Sequence, residues 1–236
     1  MKLLNIPNTI TCCNLISGCI ATYFAFNDDY RMALLFIIIG AVFDFFDGMV
    51  ARLLHVSSPI GKELDSLADD ITFGFAPSAI VFSYLSQNGA VADHCQFSIV
   101  NCQLMPYLAF VLAAFSALRL AKFNLDERQA LGFIGLPTPA NALFWGALIG
   151  GLHGYQIYFE GIEWCVLAGV LISSYLLIAE LPMFALKFKT WGWKGNEVKY
   201  IFLLTCIPML FLGIFGLAAI IAWYVILSVV NNCLSK

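Results

Sequence analysis

Charged side chains are scarce in this sequence: Asp, Glu, Lys and Arg make up 11% of its 236 residues, while 61% are hydrophobic. A soluble globular domain carries about a quarter charged and about half apolar residues, so a soluble fold is excluded. Lysine and arginine number only 12 and are spread along the chain rather than pooled into one patch, with a formal net charge of −3. No nucleic-acid partner is expected from that distribution. Histidine is rarer still: His55, His94 and His153 are scattered, no Cys/His cluster has zinc-ligand spacing, and all three read as bystanders. No cleavable leader is expected either, because residues 1–7 run into an apolar segment without a small-residue cleavage site. Of the eight cysteines, Cys12, Cys13, Cys19, Cys165, Cys206 and Cys233 lie inside apolar runs, where they serve as small hydrophobes. Cys95 and Cys102 fall in the polar loop 87–103. A bridge between them is left open, since it depends on that loop facing an oxidising compartment.

What the chain has instead is long apolar segments, over about 8–27, 31–54, 62–86, 104–123, 138–155, 163–185, 198–214 and 217–234, with a mean hydropathy of +0.86. A membrane-spanning helix needs about 20 apolar residues. The reading is an all-α integral membrane protein, a polytopic bundle of about eight transmembrane helices. The last two segments form one apolar stretch, too long for a single span, that Pro208, Gly213 and Gly216 divide into a hairpin. Residues 1–236 form one membrane domain, with 198–234 as an accessory C-terminal hairpin. Placing both termini in the cytoplasm puts Lys2, Arg52, Lys62, Lys122, Arg128, Lys187, Lys189, Lys194, Lys199 and Lys236 on or near the inner side. Only Arg31 is left outside, and the outer loops 87–103 and 156–162 have no lysine or arginine.

Against this apolar background stand Asp44, Asp47, Asp65 and Asp69. A carboxylate within a membrane segment costs about 2.5–3.5 kcal/mol on insertion scales and is functional by default. Asp44, Asp47, Gly48 and Ala51 share one helical face, and so do Gly61, Asp65 and Asp69. Two antiparallel helices joined over 53–60, with Ser57, Ser58 and Pro59 at the turn, would bring the faces together at the cytoplasmic edge. Hard oxygen ligands select Mg²⁺, Mn²⁺ or Ca²⁺ over zinc or copper. Four carboxylates suffice for two such ions in the paired arrangement of phosphoryl chemistry. Gly48 and Ala51 leave room for a bulky nucleotide, and Arg52 offers a fork for phosphate oxygens. The structural alternative, aspartates merely paired with basic residues elsewhere, accounts poorly for four of them with small residues on the same face.

The run Asp44-Phe-Phe-Asp47-Gly48-Met-Val-Ala51-Arg52, eight residues, then Gly61-Lys-Glu-Leu-Asp65-Ser-Leu-Ala-Asp69 resembles the signature of the CDP-alcohol phosphotransferase family at every fixed position. The resemblance implies that Asp44, Asp47, Asp65 and Asp69 bind two divalent cations, Mg²⁺ or Mn²⁺, and that Asp69 is also the general base. It implies that Asp47, Gly48, Ala51, Arg52 and Gly61 hold the CDP part of the donor. Asn8 and Thr11, at the start of the first span, are assigned to the same CDP-diacylglycerol site, with an N-cap role as the alternative for Asn8. It also implies a six-helix family core, to which the C-terminal hairpin is added, and a homodimer.

Other stretches look like the phosphatidylserine synthase branch: residues 5–18, 58–69, 119–124, 135–139 and 182–187. That likeness implies transfer of a phosphatidyl group from CDP-diacylglycerol to L-serine, giving phosphatidylserine and CMP, in the cell (inner) membrane of a prokaryote with the site facing the cytoplasm. Lys122 departs from it, standing where arginine is expected in many relatives. Serine needs a cation for its carboxylate and an acceptor for its ammonium. Arg119, Lys122 and Asn124 are the candidates for the first, Glu63 and Asp70 for the second; for Arg119 and Lys122 the alternative is anchoring at lipid headgroups. Glu180 is expected to pair with a lysine of the following loop, and His55 to be a solvated loop residue. The rivals are a sister enzyme with glycerol 3-phosphate or inositol phosphate as acceptor, for which basic residues are few, and a divalent-cation transporter. A transporter would place its site near the midplane with a counterpart in the other half, which this sequence does not have.

Overall fold

The computed structural model describes residues 5–56, 58–87, 104–126, 133–184, 192 and 196–234. The Cys95/Cys102 bridge, His94 and the lysines at 187, 189 and 194 lie outside the described residues. Capping chemistry starts the first three helices. Helix α1 (Ile6–Phe26) begins at Asn5, whose side chain accepts from the Asn8 amide at 2.8 Å. Helix α2 (Tyr30–Leu53) begins at Asp29, which accepts from the Met32 amide at 3.0 Å. Helix α3 (Pro59–Asp69) begins at Ser58, which accepts from the Gly61 amide at 3.1 Å, with Pro59 in its first turn. A π-helical turn, Asp70–Phe75, then carries the chain into α4 (Ala76–Gln87) without a break.

A 3₁₀ segment, Met105–Phe110, leads into α5 (Val111–Leu125). Helices α6 (Thr138–Gly154), α7 (Ile162–Ile178), α8 (Glu197–Met209) and α9 (Ile214–Leu234) follow. The all-α expectation needs one correction, since Phe133↔Met183 and Ile134↔Pro182 pair as a two-residue antiparallel ladder. Gly135 makes it possible. At φ +80° its amide donates to the Leu181 carbonyl at 2.9 Å, and a Cβ there would stand 2.6 Å from the Leu177 oxygen.

The core is a continuous apolar cluster in which Tyr30, Ile37, Phe73, Ile80, Leu112, Trp145 and Ile149 are almost completely buried. The Trp145 indole donates to the Ser173 hydroxyl at 3.0 Å, which satisfies its one polar atom. Large apolar side chains also point outward, such as Leu35, Ile38 and Val42 on α2 and Leu171, Ile172 and Tyr175 on α7. Four helical stretches among the described residues are long and apolar enough to cross a bilayer: Ile6–Phe26, Tyr30–Leu53, Met105–Leu125 and Ile214–Cys233. The outward apolar faces are then lipid contacts, and this is a helical membrane protein.

The last apolar stretch divides at Gly213 (φ +62°), just after the 3₁₀ turn Leu210–Leu212. Helix α9 runs back past α8, with the Trp223 indole donating to Thr205 at 2.8 Å and the Phe202 and Tyr224 rings 5.9 Å apart. It also packs on α6, where Phe215 lies against Gly151 and stacks on Tyr155 at 5.6 Å. Its far end is tied to the Pro182–Met183 strand of the ladder by Asn232, donating to the Pro182 carbonyl at 2.9 Å.

Candidate active site

The four signature aspartates reach one place from two helices, but not by the packing of those helices on each other. Helix α3 packs chiefly on α1, and α1 packs along α2. Helix α1 therefore forms a third wall, with Asn8, Thr11 and Asn14 buried on one face at intervals of three. Carboxylate oxygens of Asp44, Asp47 and Asp65 all lie within 4.8 Å of one another. Asp65 Oδ1 is buried without a hydrogen-bond partner among the described residues. An all-carboxylate donor set of this spacing, with an acceptor atom unused, fits a hard divalent cation.

Two aspartates are held from α1. The Thr11 hydroxyl lies 2.6 Å from Asp47 Oδ2, and the Asn14 amide donates to Asp69 Oδ1 at 3.0 Å. Asp69 lies beside Asp44 but outside the three-carboxylate cluster. Asn14 is the site residue that sequence reasoning missed. Its signal in the sequence was an asparagine one turn beyond Thr11 in the same apolar segment.

The π-helical turn supports this arrangement. Thr72, within it, donates to the Asn14 carbonyl at 3.0 Å. Its side chain presses on Gly18 of α1 and Gly40 of α2. A Cβ on Gly18 would collide with Thr72 Oγ1 and stand 2.8 Å from its Cα, and one on Gly40 would be 2.5 Å from Thr72 Cγ2. A wider turn in a helix often marks a functional site, and here it seats α3 against α1.

Beside the aspartates opens a cavity of about 620 Å³, whose lining includes Asn8, Thr11, Asp47, Gly48, Ala51, Arg52 and Gly61, all assigned from sequence to the nucleotide. A Cβ on Gly48 would meet nothing within 4 Å, so the space beside it is open. Asn5, not Asn8, is the N-cap, and Asn8 is one of the residues that line the cavity. His55 (φ +51°) lines the same cavity from the α2–α3 connection and is exposed, as a loop residue would be. Ser57 lies outside the described residues.

The residues assigned from sequence to serine are dispersed. Arg119 is buried, donates from Nη1 to Thr138 Oγ1 at 3.2 Å and lies within electrostatic reach of Asp69. Lys122 turns to Glu180 at 3.4 Å and to the Ile178 carbonyl at 3.5 Å. Glu180 thus pairs with a lysine of α5, which the packing of α5 on α7 brings alongside. Asn124 donates to Ser66 Oγ at 2.7 Å while its carbonyl accepts from Lys62 at 2.9 Å. Glu63 is exposed on α3 and does not line the cavity.

Carboxylates gathered beside a nucleotide-sized cavity, within membrane helices, define a class. The chain belongs to the CDP-alcohol phosphatidyltransferase family, which it matches over residues 4–167. Its relatives include a CDP-diacylglycerol–serine O-phosphatidyltransferase of Bacillus subtilis (strain 168), 37% identical over 138 residues, covering 57% of this chain and 69% of the relative. The enzyme of that name from Helicobacter pylori (strain ATCC 700392 / 26695) is 27% identical over 235 residues, covering 96% of this chain and 94% of the relative. One from Methanocaldococcus jannaschii is 29% identical, with 77% of each chain covered.

Proposed function

We propose that this protein is a CDP-diacylglycerol–serine O-phosphatidyltransferase. The observation that carries the reading is the convergence of Asp44, Asp47 and Asp65 within 4.8 Å beside the cavity that Gly48, Ala51 and Arg52 line. The names of its relatives point to the same reaction. CDP-diacylglycerol places its nucleotide against Asn8, Thr11, Gly48, Ala51 and Gly61, with Arg52 on phosphate oxygens and the acyl chains left in lipid. Asp69, held by Asn14, takes the proton of the serine hydroxyl. The serine oxygen forms a bond to the phosphorus that bears diacylglycerol, the bond from that phosphorus to CMP breaks, and CMP leaves with the electron pair. Two divalent cations, Mg²⁺ or Mn²⁺, bound by Asp44, Asp47 and Asp65 together with Asp69, would supply Lewis-acid neutralisation of phosphoryl charge.

The chain crosses the bilayer eight times with both termini cytoplasmic, which leaves the site at the inner surface of a prokaryotic cell (inner) membrane. This arrangement is supported by the placement of lysine and arginine. Residues 1–236 act as one catalytic domain, with 198–234 as its C-terminal hairpin, and two copies form a homodimer. The test is CMP release by the purified protein given CDP-diacylglycerol, Mg²⁺ or Mn²⁺, and one alcohol at a time. Serine-dependent release that vanishes with Asp69→Asn and with EDTA is expected. Release with glycerol 3-phosphate or inositol phosphate instead of serine would keep the family and overturn the acceptor.

A further inference from the structure

Among residues that do not line the nucleotide cavity, several buried polar atoms have no hydrogen-bond partner among the described residues. They are Asp70 Oδ1, Ser116 Oγ, Arg119 Nε, and both Nδ2 and Oδ1 of Asn141. Ser116 and Asn141 are completely buried, and Arg119 is 6% exposed. A single orphaned atom is unremarkable, but native proteins rarely gather several without something to satisfy them.

These atoms belong to one locus. A Cβ on Gly74 would stand 2.7 Å from Asp70 Oδ1 and 2.9 Å from Ser116 Cβ, so Asp70 and Ser116 meet across that glycine. Ser116 and Arg119 share a face of α5, and Thr138 and Asn141 share a face of α6, each pair three residues apart. The 3.2 Å bond from Arg119 to Thr138 joins the two helices. The π-helical turn that carries Asp70 packs against both α5 and α6. Asp69, the proposed base, immediately precedes Asp70 and lies within electrostatic reach of Arg119.

We propose that Asp70, Ser116, Arg119 and Asn141 form the pocket that selects the acceptor as a zwitterionic amino acid, an inference that rests on the reaction proposed above. Their unused atoms complement such a molecule. Arg119 Nε and Asn141 Nδ2 are donors for a carboxylate, while Asp70 Oδ1 and Asn141 Oδ1 are acceptors for an ammonium. The Ser116 hydroxyl serves either. One cation and one carboxylate make the pocket neutral overall, which suits a zwitterion and not a phosphorylated alcohol. Thr138 is a positioning residue that fixes the Arg119 fork. Lys122 and Asn124 are engaged elsewhere and Glu63 is solvated, so none of the three belongs to this pocket.

The experiment measures CMP release by the full chain in lipid nanodiscs with CDP-diacylglycerol and Mg²⁺, using L-serine and, separately, ethanolamine, which lacks the carboxylate. Variants are Ser116→Ala, Asn141→Asp, Asn141→Leu and Arg119→Lys. A site built to hydrogen-bond a substrate group discriminates strongly against the analogue lacking it. The serine KM should therefore rise about 10-fold or more in Asn141→Asp and Asn141→Leu, and the serine-over-ethanolamine preference should shrink by about 10-fold or more in Arg119→Lys. The KM for CDP-diacylglycerol should stay within about twofold, because these residues lie outside the nucleotide cavity. If Asn141→Leu fails to fold, Ser116→Ala and the near-isosteric Asn141→Asp carry the test. A normal wild-type reaction with unchanged serine KM in these variants would mean that the atoms hold water, and would overturn the pocket alone. No serine-dependent release by the wild type would overturn both the pocket and the reaction.

Discussion

Asn14 of α1 donates an amide hydrogen to Asp69 of α3 at 3.0 Å, across 55 positions of sequence. The bond leaves a defined carboxylate orientation at the end of α3, where the π-helical turn begins. Replacing Asn14 by alanine should lower kcat by about 10–100-fold, the range seen when a partner that orients a site carboxylate is removed. The KM for CDP-diacylglycerol should change little. Steady-state CMP release with both substrates varied in turn checks this, and an unchanged kcat would remove Asn14 from the machinery.

Thr11 does for Asp47 what Asn14 does for Asp69, at 2.6 Å. Thr11→Val keeps the shape and deletes the donor. The expected result is a Mg²⁺ requirement raised by about 10-fold, read from activity titrated with the metal. Thr11→Ser should recover most of the difference.

Cation binding should also appear as stability. A ligand present at 100 times its Kd stabilises the folded state by about 2.7 kcal/mol. Mg²⁺ or Mn²⁺ should raise the melting temperature of the purified protein, and EDTA should reverse the rise. Asp44→Asn and Asp65→Asn should abolish it. A shift of equal size in those variants would mean that the ion binds elsewhere.

Gly18 and Gly40 are approached so closely by Thr72 that neither position has room for a side chain. Gly40→Val should destabilise the protein by about 1–3 kcal/mol through overpacking, and it should reduce activity by moving the π-helical turn. Thermal unfolding in detergent reads the first effect. The combination with Thr72→Ser tests the cause, since removing the Thr72 methyl should recover part of the loss.

Lys122 and Glu180 form a partly exposed pair, with side chains 34% and 66% exposed. Such pairs contribute about 0–1 kcal/mol. A double-mutant cycle of Lys122→Met and Glu180→Gln should give a coupling within that range. The serine KM should move far less than in Arg119→Lys, and a large rise in Lys122→Met would return Lys122 to the acceptor site.

Most of the proposed nucleotide side of the site was legible before any fold, because its residues sit close together in sequence at helical spacing. Asp44, Asp47, Gly48 and Ala51 fall on one face of a single helix, and Gly61, Asp65 and Asp69 on one face of another. The proposed acceptor side was not. Arg119 could be singled out as a cation within a span, but Ser116 and Asn141 are ordinary residues in apolar helices until α5 and α6 are set beside the π-helical turn. Lys122 and Asn124 differ from Arg119 in where the fold turns them. Both lie within a few positions of Arg119, yet they turn to Glu180 and Ser66.

By itself the sequence determined that this chain is a helical membrane protein with an acidic phosphoryl-transfer motif, because apolar length and helical periodicity are local properties. The tertiary structure alone decided that α1 is the third wall of the site. It also decided that Asn14 orients Asp69 and that Asp70, Ser116, Arg119 and Asn141 share one locus. Those contacts depend on how helices cross and on the close approach that Gly18, Gly40 and Gly74 permit, and no spacing along the chain records a crossing.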